Sequence, residues 1–225
     1  MIITIDGPVA SGKSTVGRLL AQRLDYYYIC SGYLYRAMAY VLVTYYGYDE
    51  KTITSPTDED LEACCMSLVY VYEDGLREKV FFNGRDITSY LKDSYIDKIT
   101  SIISVSSRVR ECVTSMQHTL ASHYDTVIDG RDTGSAVFPH AEVKFFITAA
   151  VEVRAQRWLN DQNKTGHNFS LEQAIAKITD RDERDKRRTI APLVIPHDAH
   201  IIDTSHMTIE KVIDVMMEYC TKKLA

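Results

Sequence analysis

Residues 7–14 match the GxxxxGK[ST] pattern of a phosphate-binding loop. Gly7 and Gly12 let the backbone fold tightly, so that successive N–H groups can point at phosphate oxygens. The ammonium group of Lys13 can reach the β- and γ-phosphates of a nucleotide, and the hydroxyl of Ser14 can bind Mg²⁺. The residues expected to contact the nucleotide are Gly7, Pro8, Val9, Ala10, Ser11, Gly12, Lys13, Ser14 and Thr15.

A second group of polar residues follows a predicted strand that ends at Asp129. Ligands of open α/β sheets bind at the carboxyl ends of the strands. Asp129 is therefore placed to hold Mg²⁺ together with Ser14, directly or through water. Arg131 and Asp132 come next and are placed to meet a phosphate and a base. Taken alone, the same residues also fit an Asp-Gly turn with a structural Arg–Asp pair.

Arginines recur where a second phosphate group could bind. Ser31 and Arg36 follow the second predicted strand, and a guanidinium offers planar, bidentate hydrogen bonding to phosphate oxygens. Further along, Arg181, Asp185 and Arg188 have the spacing i, i+4, i+7 and share one face of a helix. Two arginines and a carboxylate on one face can bind a sugar hydroxyl and phosphates together.

The same charged helix has a simpler interpretation. Opposite charges also fall four residues apart, Asp182 with Lys186 and Glu183 with Arg187, as on an exposed helix. Arg154 and Arg157 begin another group, just before a predicted loop around Lys164 that could form a mobile flap. Arginines on such a flap would neutralise the charge of a transition state.

Ser101 and Arg110 can contact one ligand only if the helix between them breaks. At about 100° per residue they lie on opposite faces of a straight helix. We therefore expect the helical stretch at about 93–122 to form two pieces, with Ser106 or Ser107 capping the second.

Strand-like apolar runs alternate with helical periodicity along the chain. This alternation predicts an α/β fold with a parallel sheet covered by helices on both faces. Together with the phosphate loop, it indicates a P-loop NTPase core of three layers (α/β/α). Strands are predicted at 2–5, 26–30, 126–129, 143–148 and 201–203, and helices at about 16–24, 33–45, 93–122, 149–160, 171–188 and 208–223.

The region at about 50–91 has a different character. A polar stretch at 52–60 predicts a loop, and apolar runs at 68–72 and 80–82 predict two strands, with a turn at Asn83-Gly84. We predict a small antiparallel β insertion outside the main sheet, within one domain that spans residues 1–225.

Composition excludes several classes of function. The net charge is −5 and the pI about 5.8, so no global field attracts nucleic acid or an acidic membrane. The five cysteines include no CxxC pair, which predicts reduced thiols. No leader or membrane-spanning run is apparent, so we expect a cytoplasmic protein, a monomer that acts on small molecules. A regulatory GTPase would need a DxxG element, which the chain lacks.

These motifs together resemble the bacterial cytidylate kinases across nearly the whole chain. The GRDxG-xVFP element and the RDxRD-to-APLV element are more specific than the phosphate loop. The segments that carry the resemblance are 5–8, 31–37, 82–88, 108–110, 129–134, 137–139, 181–185, 191–194 and 198–204.

The resemblance implies a P-loop kinase core, with the β insertion at about 50–91 on the acceptor side and a short lid at about 155–168. It implies direct in-line transfer of the γ-phosphate of ATP to CMP or dCMP, with no covalent enzyme intermediate. It implies that Lys13, Arg131, Arg157, Arg181 and Arg188 are catalytic, with Arg157 as the lid arginine. It implies substrate contacts from Arg36, Arg131, Arg181 and Arg188 at phosphates, from Ser101, Arg110 and Asp132 at cytosine, and from Ser31 and Asp185 elsewhere on the acceptor, Asp185 near the sugar.

Two other functions are weighed against this one. A P-loop kinase for another small acceptor shares the core, but kinases of the shikimate type lack the β insertion and the arginine-rich helix. A nucleotide-binding module without turnover is the second alternative, and intact Lys13, Ser14 and Asp129 argue against it. Cys30 and Trp158 depart from the family pattern, where a polar residue and an arginine are usual.

The choice of base depends on two side chains. An ionised Asp132 can accept from the amino group of cytosine, and Arg110 can donate to N3 or O2. Uracil presents a carbonyl and an N–H at the corresponding positions, so this pair favours cytosine.

Overall fold

The computed structural model describes residues 1–72, 78–163 and 169–224. The chain divides into two compact units. One comprises Met1–Tyr26 together with Thr126–Ala225, and the other is Tyr27–Asp125.

In chain order the elements are β1 (Ile2–Asp6), α1 (Lys13–Leu24), β2 (Tyr27–Cys30), α2 (Ser31–Thr44), α3 (Asp58–Ser67), β3 (Leu68–Val71), β4 (Lys79–Phe82), β5 (Arg85–Asp86), a 3-10 helix (Thr88–Lys92), α4 (Ser94–Ile103), α5 (Ser107–Ala121), β6 (Thr126–Asp129), a π-helical turn (Thr133–Val137), β7 (Val143–Thr148), α6 (Val151–Asn163), α7 (Leu171–Lys186), β8 (His200–Asp203) and α8 (Ile209–Leu224).

The first unit contains a parallel sheet. β1 pairs with β6 on one side and β7 on the other, and β7 pairs with β8. Ile5 is aligned with Asp129 and with Phe145, so the end of β1 lies between the ends of its two neighbours. Ile3, Ile5 and Phe145 are fully buried, as expected for strands that are covered on both faces. This confirms the predicted parallel α/β core.

The second unit contains the predicted antiparallel sheet. β4 pairs with β3 and with β5, which confirms both predicted strands. The turn at Asn83-Gly84 is also confirmed, and both residues have the positive φ of a tight hairpin turn (48° and 75°). Helices of the same unit pack against this sheet. The unit spans Tyr27–Asp125 and is therefore larger than the predicted insertion at about 50–91.

The prediction of a loop throughout 52–60 is wrong at its end, because α3 begins at Asp58. The side chain of Thr57 accepts a hydrogen bond from the N–H of Asp60 (3.2 Å), which caps the helix. Asp58, Glu59 and Asp60 then place three acidic groups in the first turn, where the helix dipole favours them. A threonine followed by acidic residues is a signal for the start of a helix. The polar composition of the segment favoured a loop, and this signal was missed.

The predicted break between Ser101 and Arg110 is confirmed, since α4 ends at Ile103 and α5 begins at Ser107. The predicted serine cap is not formed. Ser106 is the N-cap residue of α5, but its side chain makes no capping hydrogen bond. The hydroxyl of Ser104 instead donates to the carbonyl of Ser101 (3.0 Å).

The five cysteines are all free, as expected from their number and spacing. Among the described residues, no helix has both the length and the apolar character needed to cross a membrane.

Gly7 joins β1 to the phosphate loop at a position where no side chain fits. Its φ is 150°, and a Cβ atom there would lie 2.0 Å from the carbonyl oxygen of Ile147 in β7. Because that oxygen belongs to the backbone of a central strand, it cannot move away without disturbing the sheet.

We expect Gly7→Ala to lower the free energy of unfolding by roughly 2–4 kcal/mol, through the clash and the unfavourable φ. Chemical denaturation measures this change. Gly32→Ala is the control, because a Cβ at Gly32 would only contact the Sγ of Cys30 at 3.9 Å. Equal stability of the two variants would contradict the prediction.

Candidate active site

The phosphate loop runs from the end of β1 to the start of α1 at Lys13. Ala10 and Gly12 both have positive φ values (55° and 94°), which turn the chain sharply before the helix. The carbonyl of Gly12 accepts from the N–H groups of Thr15 and Val16, both at 3.1 Å, and so begins the helix. The loop therefore has the shape and the helix N-terminus of an anion-binding site.

The ammonium group of Lys13 spans this loop. It donates to the carbonyl of Pro8 (2.6 Å) and to the hydroxyl of Ser11 (3.2 Å). Burial lowers the pKa of Lys13 well below its usual range, and the nearby Arg131 lowers it further, although neighbouring carboxylates oppose the shift. An anionic phosphate would favour the charged form of this lysine.

Ser14 and Asp129 come together as predicted. The hydroxyl of Ser14 donates to the Oδ2 of Asp129 at 2.6 Å, from the first turn of α1 to the end of β6. A hydroxyl and a carboxylate are hard oxygen ligands of the kind that Mg²⁺ takes. The pair fits a magnesium site next to the phosphate loop.

Asp6, at the end of β1, holds the turn that follows β6. Its carboxylate accepts from the N–H and the hydroxyl of Thr133 (2.9 and 2.7 Å) and from the N–H of Gly134 (2.7 Å). The two residues before Thr133 are Arg131 and Asp132. Sequence reasoning missed this role, and the available signal was a carboxylate placed directly before the loop glycine.

Asp185 lies between two guanidinium groups. The Nε of Arg131 donates to its Oδ2 (2.9 Å), and Arg188 forms an ion pair with its Oδ1. Burial by itself would raise the pKa of Asp185, but Arg131, Arg188 and Arg181 hold it below the ordinary range. The structure thus brings these four predicted residues to one place. The prediction that Arg188 shares a helix face with Arg181 and Asp185 is wrong, because α7 ends at Lys186 and Arg188 lies just beyond it.

Asp182 behaves differently from the simpler interpretation of this helix. The predicted pair of Glu183 with Arg187 is present (3.4 Å), but that of Asp182 with Lys186 is wrong, because Lys186 pairs with Glu183. Asp182 is only 4% exposed and bonds to Arg154 instead.

Arg154 and Arg157 occupy different surroundings on α6. Arg154 is buried and donates to the carbonyl of Val9 (3.0 Å), so it does not lie on an exposed flap. Arg157 donates to the carbonyl of Ser11 (3.2 Å) and to the hydroxyl and carbonyl of Thr204 (3.0 and 2.9 Å). Residues 164–168 of the predicted lid lie outside the described residues, so the lid role of Arg157 stays a prediction.

The predicted acceptor residues of the second unit lie on α2, α4 and α5. Arg36 donates to Asp97 (2.5 Å) and to the carbonyl of Leu91 (3.1 Å). Arg110 is buried, donates to the carbonyl of Ser104 (3.3 Å) and lies 5.7 Å from the centre of the Tyr35 ring. Ser31 begins α2 and is buried, and Ser101 is half-buried on α4.

The two departures from the family pattern have structural roles. Trp158 packs against a buried cluster beside the phosphate loop and lies 5.2 Å from the ring of Phe169. Cys30 is buried, and its N–H donates to the hydroxyl of Tyr70 (2.9 Å). Their side chains serve packing in this chain.

The raised pKa of Asp6 makes the stability of the protein depend on pH. Burial raises its pKa to about 6 from an unfolded value near 3.8. Between these values the native state keeps the proton and the unfolded chain has lost it. The free energy of unfolding therefore falls as the pH rises through this window, by roughly 3 kcal/mol.

The measurement is chemical denaturation of wild type and Asp6→Asn between pH 4 and pH 7. The asparagine removes the titrating group, so the difference in free energy of unfolding between the two proteins should change across the window and become constant above it. A constant difference over the whole range would contradict the assignment.

Comparison with known proteins adds independent information. A family model described as Cytidylate kinase matches residues 3–222. The chain is 35% identical over 218 residues to the cytidylate kinase of Thermodesulfovibrio yellowstonii, covering 96% of each chain. It is 36% identical over 226 residues to the cytidylate kinase of Halalkalibacterium halodurans, covering 100% of this chain and 99% of the other.

Solved structures are similar in fold. Shikimate kinase from Acinetobacter baumannii, in complex with shikimate, superposes with a TM-score of 0.50 at 14% identity. The superposition covers 98% of this chain and 93% of that chain. At this level of identity the likeness shows a shared fold and gives no information about the acceptor.

Proposed function

The chain belongs to the cytidylate kinase family and is therefore an enzyme that phosphorylates CMP and dCMP with ATP; we propose that it does so by direct in-line transfer at the phosphate loop. The observation that carries this proposal is the convergence of Lys13, the Ser14–Asp129 pair and the Arg131–Asp185–Arg188 cluster in one unit. Phosphoryl transfer needs positioning and charge stabilisation and no covalent partner, and these residues supply both.

The donor nucleotide is assigned to the loop from Gly7 to Thr15. Amide groups at the start of α1 bind its phosphates, and Lys13 leaves its loop contacts with Pro8 and Ser11 to bind the β- and γ-phosphates. The N–H of Val9 donates to Asp182, so Val9 supports the loop and does not itself bind phosphate.

Ser14 and Asp129 are the residues that would hold Mg²⁺ in this proposal. The ion supplies positive charge to the phosphate oxygens when it is bound. The two oxygens already lie 2.6 Å apart, and the hydrogen bond between Ser14 and Asp129 would open so that both oxygens could face the ion.

The acceptor phosphate is assigned to arginines. In the first unit these are Arg131, Arg181 and Arg188, with Asp185 keeping two guanidinium groups oriented until a phosphate binds. Arg36 is assigned to the acceptor by the family resemblance, and within the second unit Asp97 and the carbonyl of Leu91 orient it. Following the family resemblance, Ser101, Arg110 and Asp132 recognise cytosine and Ser31 supports the acceptor.

A coupled ADP-release assay with ATP and Mg²⁺ tests the reaction, with CMP, dCMP, UMP, AMP and shikimate offered in parallel. We expect turnover of CMP and dCMP well above the other three. Turnover of a different acceptor would keep the kinase core and overturn the base assignment, and absence of turnover with all five would favour a binding module.

Lys13→Ala should lower kcat by about a hundredfold or more, because one donor to the transferring phosphate is lost. Lys222→Ala is the control, since Lys222 is exposed and forms its ion pair with Glu218 on α8. Wild-type kcat in Lys13→Ala would overturn the mechanism.

Asp132→Asn should narrow the preference for CMP over UMP, because an amide can donate to the carbonyl of uracil as well as accept. Steady-state kcat/KM values for both acceptors measure this. Undiminished preference would remove the basis of the base assignment.

A further inference from the structure

Val9 is the residue at which the phosphate loop is attached to the rest of its unit. Its side chain is 7% exposed and packs in a cluster with Ala155 and Leu159 of α6 and Ala174 and Ile178 of α7. Both of its backbone polar groups are also held. Its N–H donates to the Oδ1 of Asp182 (2.8 Å), and its carbonyl accepts from the Nη1 of Arg154 (3.0 Å).

Asp182 and Arg154 also bind each other. The Nη1 of Arg154 donates to the Oδ2 of Asp182 at 2.5 Å, and the side chains are 10% and 6% exposed for Arg154 and Asp182 respectively. The Nε of Arg154 donates to the carbonyl of Ala149 (3.0 Å), just before α6. We name these two residues the Val9 clamp.

A gain in stability does not by itself explain why the ion pair of the Val9 clamp is buried. A buried ion pair loses the hydration of both charges, and well-packed apolar side chains of similar size often give equal or higher stability. Apolar side chains would not provide a fixed acceptor for the N–H of Val9 and a fixed donor to its carbonyl. The pair thus defines the position of the loop.

Asp182 is also next to the catalytic face of α7. It directly follows Arg181 and precedes Asp185 by three residues. The hydrogen bond from the N–H of Val9 to Asp182 therefore sets the distance between the loop that binds the donor and the part of α7 that carries Arg181 and Asp185.

We infer that Asp182 and Arg154 are positioning residues for phosphoryl transfer, which hold the phosphate loop at Val9 in register with the arginine-bearing face of α7. The inference rests on the proposed function for its effect on turnover. Its effect on ATP binding does not depend on which acceptor the enzyme uses. Neither residue contacts the transferring phosphate in this account.

The variants are Asp182→Asn, Arg154→Gln and the double variant. Asp182→Asn keeps the shape of the side chain and Arg154→Gln shortens it, and each change removes one charge of the Val9 clamp. We expect kcat to fall by about tenfold to a hundredfold in each, because a displacement of about 1 Å costs that much in a reaction that depends on alignment. The double variant should lose no more than the worse single variant, since the two residues act as one unit.

Asp180→Asn with Arg184→Gln is the matched control. These residues form an exposed ion pair at 3.3 Å on the same helix. The charge change is the same, and we expect kcat and both KM values to stay within about twofold of wild type.

The decisive readouts are kcat, the KM for ATP and the increase in Tm produced by ATP, all taken well below the Tm of each variant. A positioning role raises the KM for ATP and reduces the ATP-induced increase in Tm along with kcat. If Asp182→Asn and Arg154→Gln have a lower Tm but unchanged kcat, KM and response to ATP, the inference is wrong.

The design separates this inference from the proposed function. If the wild type phosphorylates none of the acceptors, the ATP-induced change in Tm still tests the Val9 clamp. If a single variant does not fold, the double variant replaces it, because it leaves no unpaired buried charge. Wild-type kinetics and ATP response in a folded double variant would overturn the inference.

Discussion

The phosphate loop must keep its carbonyl groups turned away from an anion while its amides face it, and the rest of the site depends on this constraint. Three loop carbonyls each accept a hydrogen bond from a cation. Lys13 reaches Pro8, Arg154 reaches Val9 and Arg157 reaches Ser11. These contacts come from α1 and α6, so packing of the helices determines the shape of the loop.

The buried carboxylates have complementary roles. Asp6 binds the turn that bears Arg131 and Asp132, Asp182 binds the loop at Val9, and Asp185 orients Arg131 and Arg188. Each is nearly inaccessible to water and satisfies its charge with N–H donors or guanidinium groups. Such fixed partners keep donors in place before a substrate binds, which is the preorganisation that charge stabilisation in phosphoryl transfer requires.

The arginines of the site are also held in fixed positions by protein partners before a substrate binds. Arg131 and Arg188 are held by Asp185, and Arg36 is held by Asp97 and the carbonyl of Leu91. A guanidinium has five donors, so it can keep a protein partner and still offer bidentate contacts to a phosphate. Arginine suits these positions better than lysine for this reason.

Local patterns in the sequence determined much of this protein. The loop motif, the alternation of strands and helices and the hairpin at Asn83-Gly84 all follow from spacing and turn chemistry within a few residues. The placement of Ser14 with Asp129 also followed, because the helix bearing Ser14 begins just after the loop at the end of β1, and Asp129 ends the neighbouring parallel strand β6.

Tertiary structure decided the partners of the buried charges. Asp182 could have paired with Lys186 on its own helix, but it bonds to Arg154 on another helix and to Val9 in the loop. Helical spacing specifies which residues share a face, but it does not specify what packs against that face. Only the packing of α7 against α6 shows that Asp182 faces inwards, where an unpaired charge would be costly and its hydrogen-bond partners are therefore obligatory.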